Sequence, residues 1–194
     1  MALCSAGVQV ELREVLLKDK PAAMLVASSQ GTVPVLVRED GTVLDESYDG
    51  MRWALGQQDP DGWWDDSRAE EIDQLLQQND IEFKPWLDRY KYAVGYPALS
   101  AEYYRAQGEL FLQVLEAHLE YHAYLLRDIL CFADVAIFPF VRQFAFVDKD
   151  WFDSASYPRL QSWLETLLAS ELFLAVMAKY PVWQEGDRAQ LFPA

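Results

Sequence analysis

A proline set inside a run of strand-forming residues restricts this chain more than any other feature. In Gly31-Thr32-Val33-Pro34-Val35-Leu36-Val37 the β-branched residues favour a strand. Proline has no N–H to give to a ladder, so it is confined to edges, strand starts and bulges. Pro34 therefore belongs at the mouth of the strand. If the Val33-Pro34 bond is cis, the chain turns there and leaves the Val33 N–H and C=O pointing outward, able to pair with an extended peptide. After the strand, Glu39-Asp40-Gly41 carries an Asp-Gly pair that favours a tight antiparallel turn into a second strand at Val43-Leu44. Asp45-Glu46-Ser47 then opens a helix. The first-turn N–H groups and positive dipole end of a helix suit a carboxylate, and the Glu46 side chain can hold an ammonium. A short peptide offering a backbone amide, a carboxylate and an ammonium is the ligand that these groups describe together.

The remainder of the chain separates into a β-containing first part and a helical rest. Met1 to Gly7 reads as a helix tail stopped by glycine, and Val8 to Val15 alternates as a strand does. Pro21 starts a short helix to about Ser28, the hairpin strands cover Thr32 to Val37 and Thr42 to Leu44, and a helix is predicted from Glu46 to Leu55. Gly50 inside that helix weakens it by about 1 kcal/mol relative to alanine. Gln57-Gln58-Asp59-Pro60-Asp61-Gly62 is polar and rich in turn formers, which marks a domain boundary. Beyond it, Ser67 and Glu70 have the spacing of a capping box ahead of the apolar face Ile72, Leu75 and Leu76. The run from Ala101 to Arg127 predicts one helix, with Leu112, Leu115, Leu119 and Leu126 and with Phe111, Val114, Tyr121 and Leu125 making a broad packing face. Further helices are predicted over Tyr157 to Ala169 and Glu171 to Lys179.

Four segments, Leu17-Lys18-Asp19-Lys20-Pro21, Gly31-Thr32-Val33-Pro34-Val35, Asp45-Glu46-Ser47 and Ala133-Asp134-Val135-Ala136-Ile137-Phe138-Pro139-Phe140, together resemble the glutathione transferase family. The likeness is nearest to its omega-like, cysteine-type members and spans nearly the whole chain. It implies an α/β thioredoxin-like N-terminal domain over residues 1–56, lacking its first strand. A linker over 57–66 and an all-α helical-bundle domain over 67–194 complete the expected arrangement. The peptide is then glutathione: Lys20 takes the glycine-end carboxylate, Val33 with Pro34 supplies the backbone pair, and Glu46 and Ser47 hold the γ-glutamyl end. The implied activity is glutathione-dependent transfer or thiol reduction acting on a small electrophile or a glutathionylated thiol, in a homodimer. Family members carry a first strand and a Cys-Pro-Phe or Cys-Pro-Tyr loop ahead of the helix that Met1 to Gly7 resembles. The reactive cysteine is therefore expected about eight residues before Met1, at a helix N-terminus whose dipole lowers a thiol pKa. No catalytic residue is expected within the chain itself. Losing the central strand would leave two strand edges unpaired. The other expectation is thus a non-catalytic binding or assembly module of the same fold, its sheet completed by a second copy.

Other constellations are read as structural. Cys4 and Cys131 are too few for a disulfide framework and lack CxxC spacing, which fits a reducing cytoplasm. A net charge of -15 disfavours nucleic acid and anionic membranes as partners. His118 and His122 are one helical turn apart with Glu120 between them, an order that points the glutamate away and argues against a metal. Asp59, Asp61, Asp65 and Asp66 lack calcium-loop spacing. Cys131 stands where the family places a hydroxyl helix cap, with Asp134 three residues on able to bond back to its N–H. Tyr90, Tyr92, Tyr96 and Trp183 are candidates for an acceptor-site wall by position in the resemblance alone.

Overall fold

The computed structural model describes residues 1–193. In chain order, helix α1 (Ala2–Ser5), strand β1 (Val10–Leu12), helix α2 (Ala22–Ala27), strands β2 (Leu36–Val37) and β3 (Val43–Leu44) and helix α3 (Ser47–Gln57) come first. Helices α4 (Ala69–Gln77), α5 (Lys84–Lys91), α6 (Ala101–Leu119), α7 (Phe132–Ala145), α8 (Lys149–Ser154) and α9 (Pro158–Leu168) follow, and then α10 (Glu171–Val176) and β4 (Gln190–Phe192). These form two compact units. One comprises Met1–Asp61 together with the segment from Glu171 onward, and the other is Gly62–Ser170. This is a thioredoxin-like α/β part accompanied by a helical part, as the sequence pattern indicates.

In the first unit, β2 and β3 form the expected antiparallel hairpin, with Leu36 opposite Leu44 and Val37 opposite Val43. Asp40 closes the turn by accepting the Thr42 N–H at 2.9 Å. The strand expected over Val8 to Val15 is reduced to β1. Along one edge β4 pairs with it antiparallel in a sheet of two strands, Val10 opposite Phe192 and Leu12 opposite Gln190. Nearby, the Trp183 N–H donates to the Glu14 carbonyl at 2.9 Å. An unpaired strand edge leaves backbone groups without partners, and along one edge of β1 the C-terminal segment supplies them.

Three expectations fail in the helical unit, each for a visible reason. Asp65, not Ser67, caps the entry to α4: its Oδ1 accepts the Ser67 N–H at 2.9 Å and the Ser67 hydroxyl at 2.6 Å, so a single 3₁₀ turn (Asp66–Arg68) precedes the helix. The helix predicted to Arg127 ends at Leu119. Beyond it, the Leu125 N–H donates to the buried Asp134 carboxylate instead of to a helical carbonyl, and the Ala123 N–H donates to Asp128. Tyr121, placed on the packing face by periodicity, is 80 % exposed. The core forms around Phe83, Phe111, Phe138 and Phe144 with Leu112, Leu115 and Ile137. The side of α6 that carries Gly108 lies directly against the Phe144 ring.

Candidate functional site

The residues expected to hold a peptide all lie in the first unit: Lys20 just before α2, Val33 and Pro34 on the loop between α2 and β2, and Glu46 and Ser47 at the start of α3. Lys20 is half-buried and immediately precedes Pro21, the cap of α2. Its ammonium reaches back toward Gly31, 4.0 Å from where a Cβ on that residue would sit. Gly31 has φ +61°, and a Cβ there would lie 3.1 Å from Leu25 Cδ2, so both backbone and space call for glycine. The Val33-Pro34 bond is cis. Val33 is 47 % exposed, and neither its N–H nor its C=O enters a backbone hydrogen bond among the described residues. Glu46 occupies the N-cap position of α3 in extended conformation and its carbonyl accepts the Gly50 N–H at 3.1 Å, yet its side chain makes no capping bond. Ser47 is the first residue of the helix and, like Glu46 and Pro34, exposed. Backbone donors and a carboxylate thus face solvent where a zwitterionic peptide could meet them.

The two segments are tied together by a contact that sequence spacing does not reveal. The Ser28 hydroxyl, on a residue only 2 % exposed, donates to Asp45 Oδ2 at 2.8 Å. Ser28 caps the C-terminus of α2 and its carbonyl accepts the Gly31 N–H at 3.2 Å. The nearest hint in the sequence is the first of two serines at a helix end and an aspartate 17 residues later, which no motif joins.

Lys20 also lines a cavity of about 810 Å³ with Arg13, Asp19, Trp183 and Asp187, whereas Val33, Glu46 and Ser47 lie outside that lining. Trp183 is held there by its backbone bond to Glu14, and the Arg13 guanidinium sits 4.7 Å above its ring. Of the tyrosines named beside it, Tyr90 is buried in the helical unit and Tyr92 and Tyr96 are 56 % and 43 % exposed.

Neither thiol is disposed to act as a nucleophile. Burial, and then the neighbouring Asp134 carboxylate, push the Cys131 thiol up to about 12. Its S–H donates to Asp134 Oδ2 at 2.9 Å while its own N–H donates to the same oxygen at 3.0 Å. Cys131 therefore serves the cap as a donor, and Asp134 bonds back as the sequence suggests. Burial also raises the Cys4 thiol, against the pull of the nearby N-terminal ammonium. A thiol attacks as the thiolate, so both shifts reduce reactivity at neutral pH.

The remaining clusters are occupied locally. His122 lies beyond the end of α6, so it does not share a helical face with His118, and its Nδ1 is 3.6 Å from Asp128. Asp61 accepts the Ser5 hydroxyl, Asp65 caps a turn and Asp66 accepts the Trp64 indole N–H at 2.7 Å. The hydroxyl and amide of Ser67 hold the Asp65 carboxyl below its ordinary value.

Residues 1–61 match the family model described as the glutathione S-transferase N-terminal domain, and residues 97–171 match the model of the glutathione S-transferase C-terminal domain. No curated protein sequence matches the chain. Among solved structures, the ternary complex of BphK, a bacterial glutathione transferase, is similar over 91 % of this chain and 90 % of its own, with a TM-score of 0.76 and 25 % identity. Glutathione S-transferase 1-6 from Anopheles dirus species B shares the fold over 87 % of this chain and 81 % of its own, with a TM-score of 0.73 and 21 % identity. The transferase URE2P6 from Phanerochaete chrysosporium, solved with oxidized glutathione, does so over 80 % and 76 %, with a TM-score of 0.69 and 18 % identity.

Proposed function

Because the chain belongs to the glutathione S-transferase family, we propose that Lys20, Val33, Pro34, Glu46 and Ser47 form a glutathione site of the omega-like, cysteine-type kind. The exposed, unbonded Val33 backbone pairs with the cysteinyl amide of glutathione, as an added strand pairs with a sheet edge. The Glu46 carboxylate takes the γ-glutamyl ammonium, and the Ser47 hydroxyl with the N-terminal turn of α3 takes the adjoining carboxylate. Lys20 takes the glycine-end carboxylate. The observation that carries this reading is the pairing of an unbonded Val33 with an uncapped α3 start, two ligand-ready features joined by the Ser28–Asp45 bond.

The chemistry proposed is transfer of glutathione to a small electrophile, or removal of glutathione from a modified thiol, through a cysteine thiolate. Cys4 and Cys131 are both raised away from reactivity, so neither is proposed as that thiolate; by the family resemblance it is assigned to a Cys-Pro-Phe or Cys-Pro-Tyr loop ahead of the helix that Met1 to Gly7 resembles. The working form is proposed to be a homodimer in a reducing, cytoplasmic setting, consistent with two free thiols and a charge of -15. Among the described residues no helix is long and apolar enough to cross a membrane.

Isothermal titration with glutathione tests the site. Binding is expected, and Glu46→Ala and Ser47→Ala each weaken it about tenfold, a loss of about 1.4 kcal/mol. Unchanged affinity in both variants would refute the assignment. A second reading, a non-catalytic glutathione-binding module, is favoured by the pairing of β1 with β4, which gives β1 a strand partner on one edge from within the chain. Turnover by the 194-residue chain at the rate of intact relatives excludes both the module and the outside thiolate; binding without turnover is common to both. Joining an upstream Cys-Pro-Phe or Cys-Pro-Tyr segment separates them, because only the enzyme then gains activity.

A further inference from the structure

Ser28, Asn79 and Asp134 are the buried polar residues among those described, and Ser28 alone of them stands beside the proposed peptide site. Its hydroxyl has one partner, Asp45 Oδ2 at 2.8 Å, in a hydrogen bond strengthened by the carboxylate charge. The bond bridges the two halves of the site at their roots. On one side Ser28 fixes the turn through Gly31 that delivers Val33. On the other, Asp45 is joined by a single peptide bond to Glu46, the cap of α3. The β2–β3 hairpin, two residues a strand, ties the same segments at Leu36–Leu44 and Val37–Val43, and the Ser28–Asp45 bond adds a side-chain tie across the stretches that lead to Val33 and to Glu46. The Asp45 side chain is half-buried and engaged with Ser28 through Oδ2.

We infer that the Ser28–Asp45 hydrogen bond is a clasp that sets the distance between the Val33 backbone and the Glu46–Ser47 anchor, and that Ser28 and Asp45 are positioning residues for glutathione. The inference rests on the glutathione reading above. A peptide held at both ends needs its two anchors at one fixed separation. Displacing a positioned group by about 1 Å lowers a binding-dependent rate by up to about 100-fold. Loss of the clasp acts on the ligand without removing any group that touches it.

The experiment is a double-mutant cycle read by isothermal titration with glutathione, at a temperature where thermal unfolding shows every variant folded. Ser28→Ala and Asp45→Ala are each expected to raise the dissociation constant about tenfold, and the double variant to fall no further than the weaker single, since all three lose the same bond. Asp45→Asn keeps an acceptor for the Ser28 hydroxyl and is expected to stay within about threefold of the unaltered chain. Effects that multiply in the double variant, or an Asp45→Asn variant as weak as Asp45→Ala, would overturn the clasp, the latter by showing that Asp45 acts through its charge. A Ser28→Ala variant that binds normally and only melts earlier would overturn it too, because the bond would then serve stability alone. Should Ser28→Ala not fold, the Asp45→Asn and Asp45→Ala pair decides by the same criterion. Failure of the unaltered chain to bind glutathione refutes the site and the clasp together, whereas a failed pattern among the variants refutes only the clasp.

Discussion

Replacing Asp134 by alanine is a severe single perturbation, and one that lies outside the proposed site. The residue is fully buried, and its two oxygens accept four hydrogen bonds: Oδ1 from the Leu125 N–H at 2.9 Å and the Trp163 indole N–H at 2.8 Å, Oδ2 from the N–H and S–H of Cys131 at 3.0 and 2.9 Å. Alanine strands three buried N–H donors at about 1–3 kcal/mol each. Against that loss stands relief from burying the carboxylate, whose expense is visible in the way burial pushes the Asp134 carboxyl up despite its donors. Breaking one side of such a buried charged network typically costs about 3–5 kcal/mol net. A domain of this size shifts its melting temperature by about 2–4 °C per kcal/mol, so the variant should melt about 6–20 °C lower. Urea unfolding followed by tryptophan fluorescence suits the measurement, since Trp163 reports from the network itself. A loss under about 1 kcal/mol would mean that the stranded donors find other partners and that Asp134 does not hold the 120–130 segment in place.

Two glycines in helices should respond oppositely to alanine. A Cβ on Gly108 would lie 2.5 Å from Phe144 Cε2, and that ring is buried against Phe83 and Tyr90, so Gly108→Ala is expected to destabilise by about 1–3 kcal/mol. Gly50 faces open space in α3, and Gly50→Ala should stabilise by about 0.5–1 kcal/mol; equal effects in urea titrations would contradict the packing argument. In alkali the fold should weaken. Burial, with Glu109 next, pushes the Tyr157 hydroxyl up to about 12, and the Cys131 thiol is likewise at about 12, against ordinary values of 10.0 and 9.0. A folded-state pKa above the unfolded one contributes stability below the unfolded value and loses it as pH rises toward the folded value. Urea midpoints should accordingly fall between pH 9 and pH 12, and Tyr157→Phe should flatten the upper part of that fall. A midpoint that holds steady to pH 12 would refute it.

What could be read from sequence follows the range over which each interaction acts. The β2–β3 hairpin was legible because an Asp-Gly turn specifies its own two neighbours, and α3 because a helical run follows the polar Asp45-Glu46-Ser47, although the Glu46 side chain forms no cap. The end of α6 was not, because the apolar spacing continues to Leu126 while the backbone is diverted by Asp134, nine residues past Leu125. The same limit explains the cap of α4: Ser67 and Glu70 fit a capping box, but Asp65 reached the Ser67 N–H first. The pairing of β1 with β4 joins residues 180 apart in sequence, where periodicity carries no information at all.

The site divides along that same line. Gly31, Val33, Pro34, Glu46 and Ser47 are legible singly, because each has a backbone property that its residue type dictates: a positive φ, a missing donor, a helix start. Their mutual placement is a different matter. It depends on Ser28 and Asp45, residue types that satisfy themselves in many ways and acquire a role only when the fold buries one against the other. Evolution can therefore alter the spacing between the two anchors without touching either anchor, by changing two residues whose bond to each other no local pattern marks. Variation at Ser28 and Asp45 should then tune how tightly a tripeptide is held while leaving intact the groups that recognise it, a separation the double-mutant cycle measures directly.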